Sequence, residues 1–418
     1  MNILVKNAKI IDEFSTHHNQ VKDIYIENGI ITRITNSIDA PYDVLVSHED
    51  LHVSLGWADF KTSIGDPGFE HKETIESTLR LSASGGFTHI GSLPSNQPVT
   101  DTKAQVEYQK QKSNGNIVSL HPMGTISKGM KSEELSEMFD LFQNGCSLFT
   151  DDTNFVNTGL MYRSLLYTKN FGGKVILNLF EPHLSNGLVN EGIASTRTGI
   201  KADASVGELI QLKTILLLVE YLNCSVHITG VSCKESVDII ASAKERGLNI
   251  TSDVNVMNLL FTEEDVLDFD PLMKVKPVLR RDMDKSALLE GIRSGIIDGI
   301  ASDHRPVNEE DKNLEFEGAA IGCYQLQTIF SALVTNTDLD LEHIIKSLGT
   351  NNRKILLNQE NKIEETSKAD LTLFSPSSTI EFPKQKGIGH AYFHPFTDKK
   401  LKGKVVGVIH NERIHLNP

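Results

Sequence analysis

The sequence predicts an α/β protein: a (β/α)8 TIM-like barrel carrying a small β-sandwich built from both chain termini. Three observations lead there. The 418 residues exceed what one simple core organises and suffice for a large barrel with an appendage. From roughly Leu55 to Leu357, eight short apolar runs alternate with helical stretches in the manner of repeated βα units. Both ends read instead as strands and hairpins, which assigns residues 1–53 plus 366–418 to one composite β-sandwich domain and 54–365 to the barrel.

The elements follow in chain order. Ile3 and Val5 alternate, then Ala8 and Ile10, and Asp23–Thr35 carries a hairpin turn at Asn28-Gly29. Barrel strands are expected at Gly56–Phe60, His89–Leu93, Ile117–His121, Ser147–Thr150, Lys174–Leu179, Ser225–Thr229, Asn249–Ser252 and Gly299–Ser302. Between them Glu134–Phe142, Met161–Asn170, Val206–Leu222, Ser236–Glu245 and Lys285–Ser294 place apolar residues at helical spacing. The C-terminus closes with strands at Ala369–Phe374 and Gly403–Ile409, a turn at His410-Asn411-Glu412, and Arg413–His415. In such barrels chemistry belongs to residues just past the strand C-termini.

Composition narrows the function classes. With 39% hydrophobic and 23% charged residues the chain buries a full core and is not a disordered binder. Its net charge of −14 opposes phosphate backbones and anionic lipid, so nucleic acid and membrane are excluded as partners. No leader-like or membrane-length apolar stretch is present, and the expected location is the cytoplasm. The four scattered cysteines, without CxxC spacing, are expected to be reduced. Fifteen histidines would permit a metalloenzyme, provided they sit at strand ends.

Three strand ends carry candidate chemistry. Asp303-His304 follows the eighth strand, where an acid beside a histidine suits a general base or a ligand, or equally a loop cap and a packed rim. Asp151-Asp152 follows the fourth strand as a carboxylate pair or a pair of turn formers. His227 lies within the sixth strand, either as a ligand or as a buried, hydrogen-bonded core residue.

At this point the chain resembles the dihydroorotase family of the amidohydrolase superfamily, almost end to end. Leu55-Gly-Trp-Ala-Asp-Phe-Lys-Thr-Ser-Ile-Gly-Asp-Pro-Gly68 is similar to the family's first-strand signature. Leu93–Asn96, Thr150–Asp152, His227–Ser232, Asn258–Phe261, Val275–Arg280, Ser302–Pro306, Ala369–Phe374 and Leu401–Val406 resemble its later blocks in the same order. The resemblance implies the barrel and sandwich; residue by residue, it also implies a lost metal centre. Where the family has two metal-binding histidines this chain has Lys61 and Ser63, and the fifth-strand histidine falls at Asn178 or Leu179. The sixth-strand pair becomes His227, taken as a strand member, and Gly230, taken as a lost ligand. Asp303, a vestigial base, and one carboxylate from Asp151 or Asp152 remain. Two carboxylates make a feeble zinc site, so the family's zinc is not expected and no cofactor is assigned. The substrate-binding positions have changed as well: Gly65, Ser95, Lys276 and Val307 stand where the family has arginine, asparagine, asparagine and histidine.

Without a metal, Asp303 and Asp151 would face one another uncompensated, so Lys61 is expected to take part of the vacated position and pair with a carboxylate rather than extend to solvent. Catalysis by its amine is disfavoured by the same acids. Lys61, Lys276, Arg280 and His304 either form a pocket for a small anion or solvated rim contacts. The expected function is that of a metal-free, non-catalytic homologue with a structural or regulatory role in pyrimidine biosynthesis. Aspartate transcarbamoylase is the partner the resemblance implies, and a homo-oligomer the expected state. The alternative is an active cyclic-amide hydrolase with a reduced site and Asp303 as base; a third class is a small-molecule sensor.

Overall fold

The computed structural model describes residues 1–359, 361–382 and 393–418. Residue 360, in the segment assigned to the barrel, and residues 383–392, in the segment assigned to the C-terminal β half, lie outside the described residues. Eight barrel strands are present, here numbered first to eighth: Trp57–Thr62, Phe87–Ser92, Ser119–Pro122, Leu148–Phe149, Lys174–Asn178, Val226–Thr229, Ile250–Asn255 and Gly299–Ala301. The first three pair in parallel as one arc and the last five as another. Single bridges, Gly124 to Phe149 and Thr62 to His304, close the arcs on each other.

Burial on both faces explains why these strands are apolar runs rather than alternating ones. All six residues of the first strand are buried, Asp59 and Lys61 included. Ala58, Phe60, Leu148, Ile176 and Ala301 fill the barrel with Leu93 and Met123, while Trp57, Phe87, Val175 and Ile228 face the helices. One extra residue stands on the first strand between Asp59 and Thr62 relative to its neighbour. Such a bulge stops the alternation and re-aims side chains, and here it delivers Lys61 to the barrel mouth. The helix expected at Glu134–Phe142 begins only at Met138, because Leu135 bridges Ser127 and Glu134 O accepts the Lys128 N–H.

The satellite is one hydrogen-bonded sheet of eight strands wrapped on its own core of Ile3, Val5, Ile24, Ile26, Val53 and Leu373. The two chain ends meet where Leu371–Glu381 runs antiparallel to His52–Leu55. Asn28 and Gly29 both take positive φ, +48° and +76°, the geometry that makes this pair a tight hairpin turn.

A polar knot ties the satellite to the N-terminal end of the barrel. Arg353 Nη1 lies 2.7 Å from Asp370 Oδ2 and donates to Gly56 O, and His89 Nε2 is 2.9 Å from the same carboxylate oxygen. His121 Nε2 lies 3.0 Å from His89 Nδ1, and His410 Nε2 3.0 Å from Ser119 Oγ. Burial pushes the Asp370 carboxyl up, but His89 and Arg353 overcome that and hold it far below the usual carboxylate range. No helix among the described residues is long and apolar enough to cross a membrane.

Candidate functional site

The mouth is organised around two carboxylates and two cations. Asp152 follows the fourth strand and Asp303 the eighth, and both have left-handed backbone, φ +53° and +47°, a conformation concentrated at functional turns. Arg305 bridges them: its Nη1 and Nη2 donate to the two oxygens of Asp152 at 3.0 and 2.6 Å, and its Nε to Asp303 Oδ1 at 2.9 Å. Ser95 Oγ adds a 2.9 Å hydrogen bond to Asp152. Burial raises the Asp152 carboxyl and Arg305 more than reverses it, so the group stays below its ordinary range. The same pairing drives the Arg305 guanidinium above its usual pKa.

Lys61 completes the arrangement. Its ammonium, buried at the end of the first strand, donates to Asn255 Oδ1 at 2.9 Å and lies 4.0 Å from Asp303 Oδ1. Asn255, the last residue of the seventh strand, donates in turn to Asp303 Oδ2 at 3.1 Å and to Lys276 O. A Cβ at Gly230 would lie 3.3 Å from the Lys61 ammonium, so the space left by the missing sixth-strand side chain abuts the first-strand cation. The expected pairing of Lys61 with a mouth carboxylate is therefore present, with Asp303 as the acid.

Several expected site residues lie elsewhere. Asp151 turns away from the mouth: its carboxylate accepts the Ile126 and Ser127 N–H groups and the Ser127 hydroxyl, and burial raises its pKa. Of the adjacent pair, Asp152 is the mouth residue. His227 is fully buried in its strand between Asp253, 2.9 Å away, and Thr251. His304 is equally buried; its Nδ1 accepts the Gln325 N–H, which leaves Nε2 to donate to Glu73 at 2.8 Å, far from solvent. Ser63 donates its backbone N–H to His304 O and is not a wall of the cleft. Asn178 does line it, and its amide braces the loop after the fourth strand through Asp152 O and Asn154 O.

The cleft itself, about 50 Å³, is walled by Lys61, Asp152, Asn178, Gly230, Lys276 and Arg280 among others. It is below the roughly 300–1,000 Å³ of ordinary ligand sites. Lys276 and Arg280 are not unpaired cations waiting for an anion. Lys276 Nζ lies 2.8 Å from Asp203 Oδ2, and Arg280 Nη2 2.8 Å from Asp203 Oδ1. Lys61, Lys276 and Arg280 thus share one cleft, each beside an acid of the chain, and His304 lies outside its lining. Sequence reasoning missed Arg305, Asn255 and Asp203. Arg305 stood beside the quoted Asp303-His304 pair, and the need to neutralise two buried acids was the signal for it; Asp203 lies in no motif.

A zinc ion does not fit this donor set. Its two carboxylates are already occupied by guanidinium, ammonium and amide donors, and the other positions offer an ammonium, a serine, an amide and a glycine. Among the described residues the one grouping of three potential ligands is His89, Asp370 and His410, in the knot at the barrel's other end, where Arg353 occupies the carboxylate.

Comparison with known proteins agrees with this architecture. A family described as "Dihydro-orotase-like" matches residues 52–236. A dihydroorotase of Acetivibrio thermocellus is 34% identical over 420 residues, 99% of this chain and 98% of the relative. One of Aquifex aeolicus is 34% identical over 415 residues, 98% of each. Among solved structures, the L-hydantoinase (dihydropyrimidinase) of Arthrobacter aurescens superposes with a TM-score of 0.86 at 18% identity, covering 100% of this chain and 97% of that one. A D-hydantoinase of Thermus sp. gives 0.81 at 20% identity, covering 99% and 95%. The solved structures share the barrel-and-sandwich fold, and with two full-length relatives a third identical to it, the chain belongs to the dihydroorotase family of the amidohydrolase superfamily.

Proposed function

We propose that this chain is a metal-free, non-hydrolytic dihydroorotase homologue of the cytoplasm that serves pyrimidine biosynthesis as a structural or regulatory subunit. The family resemblance names aspartate transcarbamoylase as the partner to test. The observation that carries the reading is Arg305 bridging Asp152 and Asp303 with Lys61 behind them. Cations fixed to the chain neutralise both acids at the mouth, and each oxygen of Asp303 already has a donor or a cation beside it. Opening an unstrained cyclic amide there would lack an electrophile for the carbonyl and a free base for water, which forfeits several kcal/mol of transition-state stabilisation.

A second reading, an active cyclic-amide hydrolase with Asp303 as base, is favoured by the name dihydroorotase borne by full-length relatives. One experiment separates the two: elemental analysis of the purified chain, a dihydroorotate ring-opening assay with and without added zinc, and co-elution with aspartate transcarbamoylase. We expect no turnover above the uncatalysed rate at any zinc concentration, and a co-eluting complex. Zinc-dependent turnover would establish the hydrolase.

A further inference from the structure

A cavity of about 480 Å³ opens at the barrel end opposite the mouth, where Ser147, Lys174, Ser225, Asn249 and Asp298 lead into or begin the fourth to eighth strands. Its volume is that of an ordinary ligand site. Among the described residues its charged lining is three lysines, Lys169, Lys174 and Lys354, and one acid, Asp298, in a chain whose acids outnumber its lysines and arginines 55 to 41. Asp298 is already engaged: its Oδ2 accepts the Lys244 ammonium at 2.8 Å and the Ser252 N–H at 2.8 Å. Lys174 is half-buried and donates to Ile355 O at 3.2 Å, and Lys169 donates to Leu222 O at 3.0 Å. A carbonyl accepts a hydrogen bond but brings no formal charge to set against the cation, and each of these bonds uses one of an ammonium's three donors. Burial pushes the Lys174 pKa down, and neighbouring Lys354 pushes it further. Three helices, Thr158–Thr168, Ser205–Leu222 and Asn352–Leu357, end at this wall, and their carbonyl ends favour cations. That accounts for lysines at helix ends, but not for a cavity among them or for one ammonium set against another.

We infer that this cavity binds a small phosphate monoester, its phosphate held by Lys169, Lys174 and Lys354 and its organic body set against Leu148, Ile355 and Leu356. The lining selects the class. A phosphate monoester brings about two negative charges on one compact group at neutral pH, which answers ammonium groups gathered from three separate segments. Leu148, Ile355 and Leu356 line the same cavity and belong to the packing inside the barrel, so an apolar substituent gains contact there that a free anion does not. The inference goes beyond the proposed function and holds whether or not the mouth opens an amide.

Isothermal titration calorimetry on the full chain, at neutral pH and low salt, tests this with phenyl phosphate, inorganic phosphate and phenol as probes. Phenyl phosphate should fill one site per chain at least tenfold more tightly than inorganic phosphate, and phenol should not saturate. Lys174→Met, which keeps the apolar stem, and Lys354→Gln should each weaken phenyl phosphate at least tenfold, while Lys276→Gln at the mouth should leave its affinity unchanged. No saturation below about 10 mM phenyl phosphate would overturn the inference. So would inorganic phosphate binding as tightly as the ester, or binding lost in Lys276→Gln and kept in Lys174→Met, which places the ligand in the mouth cleft. Lysines that served only the helix ends would lower the melting temperature on removal and leave the affinity of the parent, and that result also counts against the site. Circular dichroism checks each fold. If Lys174→Met unfolds, Lys169→Gln, at an exposed position, takes its place with the same expected loss. No arm reads hydrolysis, so the outcome stands apart from that of the ring-opening assay.

Discussion

Arg305 is the residue on which the mouth depends. It makes three charge-assisted hydrogen bonds to two acids, each from a chain segment distant from the other, inside a site where an unpaired carboxylate is costly. Arg305→Leu should destabilise the fold by about 3–5 kcal/mol, the usual cost of breaking a buried pair from one side. Adding Asp152→Asn and Asp303→Asn should recover most of that loss in urea denaturation, because the damage lies in the stranded charges and not in the missing guanidinium. The outcome for Lys61 was legible in the sequence, since a cation replacing a ligand among acids has few low-energy places to go. The choice between Asp151 and Asp152 was not: consecutive loop residues diverge according to backbone conformation, and only the positive φ of Asp152 sends its carboxylate to the mouth. His304 was ambiguous for a related reason, because Glu73, its partner, lies 231 positions away in the chain.

At the scale of elements, all eight barrel strands and the Asn28-Gly29 hairpin were readable, because a strand buried on both faces leaves a run of apolar residues and a tight turn leaves its two-residue signature. Their ends were less so, since polar residues such as Thr62 and Asn255 continue strands beyond the apolar run. Gly230, just past the sixth strand, shows how a strand end holds the site. It has φ +75° and stands against Lys61 and Pro277. Gly247 has a similar φ, +82°, with nothing within 4 Å of a Cβ. Gly247→Ala should therefore cost only the backbone strain, about 1 kcal/mol, while Gly230→Ala should cost more by whatever the displacement of Lys61 or Pro277 adds. Thermal melts of the two variants compare them directly.

At the scale of the whole molecule, the join between barrel and satellite carries a pH dependence. Burial is the first cause that lowers His121 to about 3 and His410 to about 4, from an ordinary 6.5, and neighbouring His89 adds to it in both. The unfolded chain takes up these protons near pH 6.5 and the folded chain only near 3 to 4, so the unfolded state binds more protons in between and stability must fall as pH drops through that window. Each histidine contributes at most about 1.4 kcal/mol per pH unit. Urea midpoints at pH 7 and pH 5 should show the loss, and His121→Gln should lessen it. This knot escaped the sequence reading because its members come from the barrel's second and third strands, the helix Asn352–Leu357 and the C-terminal strands, and nothing local marks them as neighbours.

The arginine bridge has one further consequence. An ion borrowed from the surroundings can be withheld, stripped away or exchanged for a competitor, and a fold that relies on it inherits the supply of its cell. A guanidinium attached to the backbone has none of these freedoms: it is delivered once, at synthesis, in fixed proportion to the carboxylates it serves. The mouth of this barrel thus keeps its charge balance in scarcity and in excess alike, and it cannot be switched by loading.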